Sequence, residues 1–145
     1  MNRVLDRLWI GSNRDLDGTT PLLSLGFCAV VDLRDGPHRP IVGGTMARTG
    51  TAPVGLEVFR LDNRDGDPWD ATQIESALSF IADRIRFGKV LVACMAGMSR
   101  SVSMVVGYLV RTGWDVTEAF EHVKHARPES TPVPAMLEAV IRAAG

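Results

Sequence analysis

The chain has 145 residues, enough for one domain that buries about two thirds of its unfolded surface. With 46% hydrophobic and 23% charged residues and a formal net charge of -1, it has no global basic field for nucleic acid or an anionic membrane surface. No apolar run approaches the roughly 20 residues of a membrane span, and Arg3, Asp6 and Arg7 stand where a signal peptide needs its apolar stretch.

Taken in chain order, Val4 to Ile10 is a short β-branched and apolar run that predicts a strand. Thr19 to Gly26, with Pro21 in its first turn and glycine after its end, predicts a short helix. Phe27 to Leu33 predicts the next strand. Asp35 to Gly55 holds five glycines and three prolines and reads as mostly loop. Leu56 to Leu61 predicts a further strand.

Asp70-Ala71-Thr72-Gln73 has the form of a capping box, a carboxylate followed three residues later by glutamine. Ile74, Ala77, Leu78, Ile81 and Ile85 continue at helical spacing towards Gly88. Lys89 to Cys94 is a continuous apolar run, expected of a strand covered on both faces. Ser101 to Val110 predicts an apolar helix closed by Gly113. Asp115 to Glu118 opens another, which Arg127-Pro128 ends, and Pro134 to Ala144 predicts the last. Strands followed by a central strand feeding helices predict a single α/β domain, its mixed or mostly parallel sheet flanked by helices.

The chemistry concentrates after the central strand, in Cys94-Met95-Ala96-Gly97-Met98-Ser99-Arg100-Ser101. A tight strand-to-helix turn of small residues lets successive N–H groups point inward as an anion nest, and the following helix adds its positive end. Arg100 can add a planar fork matched to phosphate oxygens. Met95, Ala96, Gly97, Met98, Ser99 and Arg100 are therefore the candidate phosphate-binding residues. Helix N-termini and cations favour thiolate over thiol, so Cys94 at the base of such a cup suits covalent catalysis through phosphocysteine.

These eight residues resemble the signature loop of the cysteine-based protein tyrosine phosphatases, and A-G-x-S-R-S within them resembles the dual-specificity subgroup. "LWIGS" at Leu8 to Ser12, "AVVDLR" at Ala29 to Arg34 and "RPESTPVP" near the C-terminus follow the same family order, so the resemblance covers most of the chain. Low-molecular-weight phosphatases and arsenate reductases carry a similar loop near their N-termini, which position 94 argues against. The resemblance implies Cys94 as nucleophile, Arg100 as phosphate clamp and Ser101 as the group that helps the thiolate leave. It also implies an aspartate general acid about thirty residues before the cysteine. Asp62, ending the strand Leu56 to Leu61, fits that placement best; Asp65 and Asp67 are alternatives.

One departure stands out: the family normally has histidine before the nucleophile, where this chain has Ala93. A less activated thiolate than is usual in the family is the expectation. Ala93 also sustains a second reading, a catalytically weak module that docks phosphorylated partners without turning them over.

Other residues read more blandly. Cys28 lies in an apolar strand and reads as core, the alternative being a redox partnership with Cys94. Two cysteines outside any Cys-x-x-Cys pair fit a reducing, cytoplasmic setting. His122 and His125 read as surface residues on one helix face. Arg34, His38 and Arg39 fall in a loop that is either solvated or flanks the pocket. Trp9, Trp69 and Trp114 read as packing residues. The expected partner is a phosphorylated protein or another phosphomonoester, with no metal or cofactor, because Arg100 and the loop amides neutralise the phosphate. The loop interior has no lysine, which argues against highly charged inositol-phosphate head groups.

Overall fold

A computed structural model describes residues 1–18, 20–36, 41, 43–46, 55–62 and 67–145. Its strands are β1 (Asn2–Leu5), β2 (Leu8–Gly11), β3 (Phe27–Asp32), β4 (Gly44–Met46), β5 (Leu56–Arg60) and β6 (Lys89–Ala93). Its helices are α1 (Asn13–Leu16), α2 (Ala71–Arg84), α3 (Arg100–Arg111), α4 (Val116–Ala126) and α5 (Pro134–Ala144). The strands form one sheet in the order β1-β2-β6-β3-β5-β4. Among the described residues only β1 and β2 pair antiparallel; the other neighbours run parallel. The fold is the expected α/β domain with a mixed, mostly parallel sheet.

The parity of β6 explains its unbroken apolar sequence. Val90, Val92 and Cys94 enter the large core beneath the helices, while Leu91 and Ala93 enter a smaller cluster on the opposite face with Leu16, Leu22, Phe27 and Val30. Successive strand residues point to opposite faces, so a central strand covered twice must be apolar throughout. The large core is filled by α2, α3, α4 and α5, with Ile74, Leu78 and Ile81 from α2 and Val102, Met104, Val105 and Leu109 from α3. The capping box of α2 forms as expected: the Gln73 amide donates to Asp70 Oδ1 at 2.8 Å and the Asp70 amide to Gln73 Oε1 at 3.0 Å. Asp115 caps α4 by accepting from the Thr117 and Glu118 amides.

Several elements differ from expectation. The run Val4 to Ile10 is two strands folded back on each other, because the exposed, charged Asp6-Arg7 pair forms the turn between them. Leu22 to Gly26 makes turns rather than a helix and ends at Gly26 with φ 92°. Thr19 lies outside the described residues. The short α1 was not anticipated; the Ser12 amide donates to Asp15 Oδ2 at 2.9 Å in its own capping box. Within the expected loop Asp35 to Gly55, Gly44–Met46 adds an edge strand to β5. No helix among the described residues is long and apolar enough to cross a membrane.

An ion pair sits inside this core. Arg84 Nε, at the end of α2, lies 2.9 Å from Glu57 Oε2 on β5, with side chains 2% and 0% exposed. Glu57→Ala takes the buried carboxylate from a guanidinium that also pairs with the half-exposed Asp83, and is expected to cost about 1–3 kcal/mol in urea unfolding. A loss under about 1 kcal/mol, the range of exposed pairs, would contradict this account.

Candidate active site

Parallel strands with helical crossovers leave a crevice beyond their C-terminal ends where neighbouring connections diverge. β6 lies between β2 and β3, so the segments leaving Gly11, Asp32 and Ala93 emerge side by side. The sheet continues briefly past the strands, with the Leu33 amide donating to Ala93 O at 2.8 Å and the Leu61 amide to Asp32 O at 3.0 Å. Cys94, 2% exposed, is the next residue on the helix-covered face, and its Sγ lies 3.2 Å from Ser101 Oγ in the first turn of α3. The residue before it faces the other way. Ala93 packs in the cluster across the sheet, so its side chain takes no part in the surroundings of Sγ.

Met95 to Ser99 wraps from β6 into α3, and its shape is set from outside. The Asn13 amide donates to Met95 O at 3.0 Å, Thr131 to Met98 O at 2.7 Å, and Ser103 to Ser99 O at 2.9 Å. Ser99 is the N-cap of α3, but its hydroxyl accepts from the Val133 amide at 3.0 Å instead of capping the helix. The first-turn amides of α3 thus have no side-chain cap, which leaves a helix N-terminus suited to an anion. Met95 and Met98 are 42% and 37% exposed, an apolar rim on a polar cup.

Arg100 opens α3. Its Nη1 donates to Leu33 O at 3.1 Å and pairs with Asp35 Oδ1 at 2.7 Å. Asp35 was not singled out in the sequence; it reaches Arg100 because β3 lies beside β6. Behind it, Arg34 is neither solvated nor lining a pocket. It is 3% exposed and grips Asp32 with two bonds, Nε to Oδ1 at 2.9 Å and Nη2 to Oδ2 at 2.8 Å, while Nη1 donates to Asn13 Oδ1 at 2.8 Å. That buried pair fixes the turn carrying Asp35. His38 and Arg39 lie outside the described residues.

Asp62 follows β5 at the same end of the sheet, two strands from β6 and so about 10 Å away laterally. Its side chain is 48% exposed and lies 3.3 Å from Arg60 Nη2, and its carbonyl accepts from Trp69 Nε1 at 3.0 Å. Trp69 is 3% exposed, so it both packs and pins the chain after β5. Asp67 is exposed, and Asp65 lies outside the described residues.

Cys28 packs half-buried against the core as expected of its strand, and one of the two histidines differs from expectation. His122 is half-buried rather than at the surface: Nε2 lies 2.7 Å from Val4 O and the ring packs on Trp114 at 5.0 Å. His125 is exposed as expected. Cys28 is half-buried at the opposite end of the sheet, since its neighbours Phe27 and Ala29 pair with Lys89 and Val90. About five strand residues, roughly 15 Å, separate it from Cys94, which excludes a disulfide between them. Its Sγ donates to Arg84 O at 3.4 Å, and burial pushes its thiol up from the ordinary value.

Residues 8–143 match the family model described as the dual specificity phosphatase catalytic domain. Human dual specificity phosphatase 28 is 30% identical over 139 residues, covering 91% of this chain and 70% of that protein. Dual specificity protein phosphatase 1 of Arabidopsis thaliana is 48% identical over 46 residues, 31% of this chain; the match spans only 23% of that longer protein. Among solved structures, human DUSP28 superimposes with a TM-score of 0.81 at 24% identity, covering 99% of this chain and 95% of that one.

Proposed function

The chain belongs to the dual specificity phosphatase family, and from that premise we propose that it hydrolyses phosphomonoesters through a phosphocysteine on Cys94. The supporting observation is the joint placement of Cys94 Sγ, 3.2 Å from Ser101 Oγ, beneath a loop whose carbonyls are bound from outside and whose next residue is Arg100.

In the proposed reaction, Met95 to Ser99 and the start of α3 turn their amides to the equatorial oxygens of the phosphoryl group, and Arg100 grips two of them. The Cys94 thiolate attacks phosphorus as the bond to the leaving oxygen breaks. Asp62, in its neutral form, gives that oxygen its proton. Water then attacks the phosphocysteine, Asp62 takes back a proton, and Ser101 donates to the departing sulfur. The substrates are phosphorylated proteins carrying phosphotyrosine, with phosphoserine and phosphothreonine as further substrates of the same chemistry. Two free cysteines suit a reducing compartment, and the cytoplasm is the proposed location. Ala93 leaves the Cys94–Ser101 contact in place, which favours a working enzyme over a docking module.

Steady-state release of p-nitrophenolate from p-nitrophenyl phosphate tests the proposal; no release above background would overturn it. The acid has its own test. Asp62→Ala is expected to lower turnover of phenyl and alkyl phosphates by about 10²–10⁴, and that of p-nitrophenyl phosphate far less, because its leaving group needs no proton. If Asp65→Ala or Asp67→Ala shows that pattern and Asp62→Ala does not, the acid is misassigned.

A further inference from the structure

A loop that binds a dianion with its N–H groups must turn its carbonyls away, and buried carbonyls need donors. Asn13, Thr131 and Ser103 supply backbone donors to Met95, Met98 and Ser99. The two carbonyls between them are held by one side chain. Arg127 donates from Nε to Gly97 O at 2.6 Å and from Nη2 to Ala96 O at 3.4 Å.

Arg127 follows α4 and is 7% exposed. Its guanidinium is fixed from behind: Nη1 donates to Asn2 Oδ1 at 2.7 Å, and Nε lies 3.4 Å from Glu129 Oε1. The fit against the loop leaves no space. Gly97 has φ 69°, and a Cβ there would stand 2.5 Å from Arg127 Nη2 and 2.6 Å from Gly11 O. Among the described residues, none of the amides of Met95 to Ser99 donates a hydrogen bond within the protein.

The geometry points to Arg127 as a positioning residue of the phosphate loop, acting through the peptide units it holds. The Ala96 carbonyl shares its peptide with the Gly97 N–H, and the Gly97 carbonyl with the Met98 N–H. Donation from a cation to those oxygens orients both amides into the cup and polarises them towards an anion. Residue 93 contributes only a methyl group, on the far face of the sheet. Arg127 never touches substrate; its effect is on how firmly the cup grips a tetrahedral dianion. The inference rests on reading this loop as an oxyanion site.

The test compares wild type, Arg127→Met and Arg127→Lys by calorimetric titration with inorganic tungstate, a tetrahedral dianion, alongside p-nitrophenyl phosphate kinetics and thermal melting. Folded Arg127→Met is expected to bind tungstate about 10- to 100-fold more weakly. Its kcat is expected to fall more than its KM rises, because the amides grip the transition state harder than the substrate. Arg127→Lys keeps the cation without the fork, so it is expected to recover melting temperature more fully than tungstate affinity. If Arg127→Met does not fold, Arg127→Lys decides. Folded variants that bind tungstate and turn over like wild type overturn the inference, as does a wild type that binds no tungstate. A wild type that binds tungstate but releases no p-nitrophenolate refutes the proposed hydrolysis, and the affinities still judge Arg127.

Discussion

Cys94→Ser is expected to lower kcat for p-nitrophenyl phosphate by on the order of 10⁴ or more, which is the scale on which losing a covalent nucleophile acts. The substitution is nearly isosteric at a position only 2% exposed, so the fold and the cup are expected to persist. What changes is the nucleophile. A hydroxyl at neutral pH has almost no alkoxide, so the proposed attack on phosphorus is lost. Tungstate affinity measured on the same variant separates the two contributions: binding is expected to survive while turnover disappears. Retention of most of the turnover would mean that another group attacks phosphorus.

The second large effect is expected at Arg100. Arg100→Lys keeps the charge but removes the planar fork, and kcat/KM is expected to fall by about 10²–10³, the range for losing one preorganised donor to a developing anion. The guanidinium is held by Leu33 O at 3.1 Å and Asp35 Oδ1 at 2.7 Å, so its position does not depend on side-chain search. Lysine carries a single ammonium on a flexible stem and cannot reproduce two parallel bonds to phosphate while keeping a contact to Leu33 O. Steady-state kinetics with p-nitrophenyl phosphate measure the effect. A lysine variant within a few-fold of wild type would show that Arg100 acts only as a point charge.

The parts of the site that could be read in the sequence are those with local signals. The apolar run before Cys94, the glycine in the loop and the arginine at the helix start each have a short-range physical cause, and β6 and α3 lie where those causes put them. The capping box of α2 and the Asp115 cap of α4 are of the same kind. Asn13, Asp35 and Arg127 had no such signal, because their importance depends on which strands lie beside β6 and on α4 returning its C-terminal end to the loop. Arg34 was misread for the same reason: a loop position suggested solvent, and Asp32 two residues earlier instead buries it. Ala93 is different. Strand parity alone places residues 93 and 94 on opposite faces, so the sequence contained the sign that this alanine removes nothing directly in contact with Sγ. The turn at Asp6-Arg7 was also signalled, by two adjacent charges inside an apolar run.

Covalent catalysis on Cys94 is the central claim, and trapping the intermediate tests it most directly. Wild-type protein mixed with p-nitrophenyl phosphate, quenched in acid during turnover and mapped by peptide mass spectrometry is expected to carry one phosphoryl group on Cys94. Steady turnover with no phosphoryl group on Cys94 in the quenched protein, or with one on a different residue, would contradict the account.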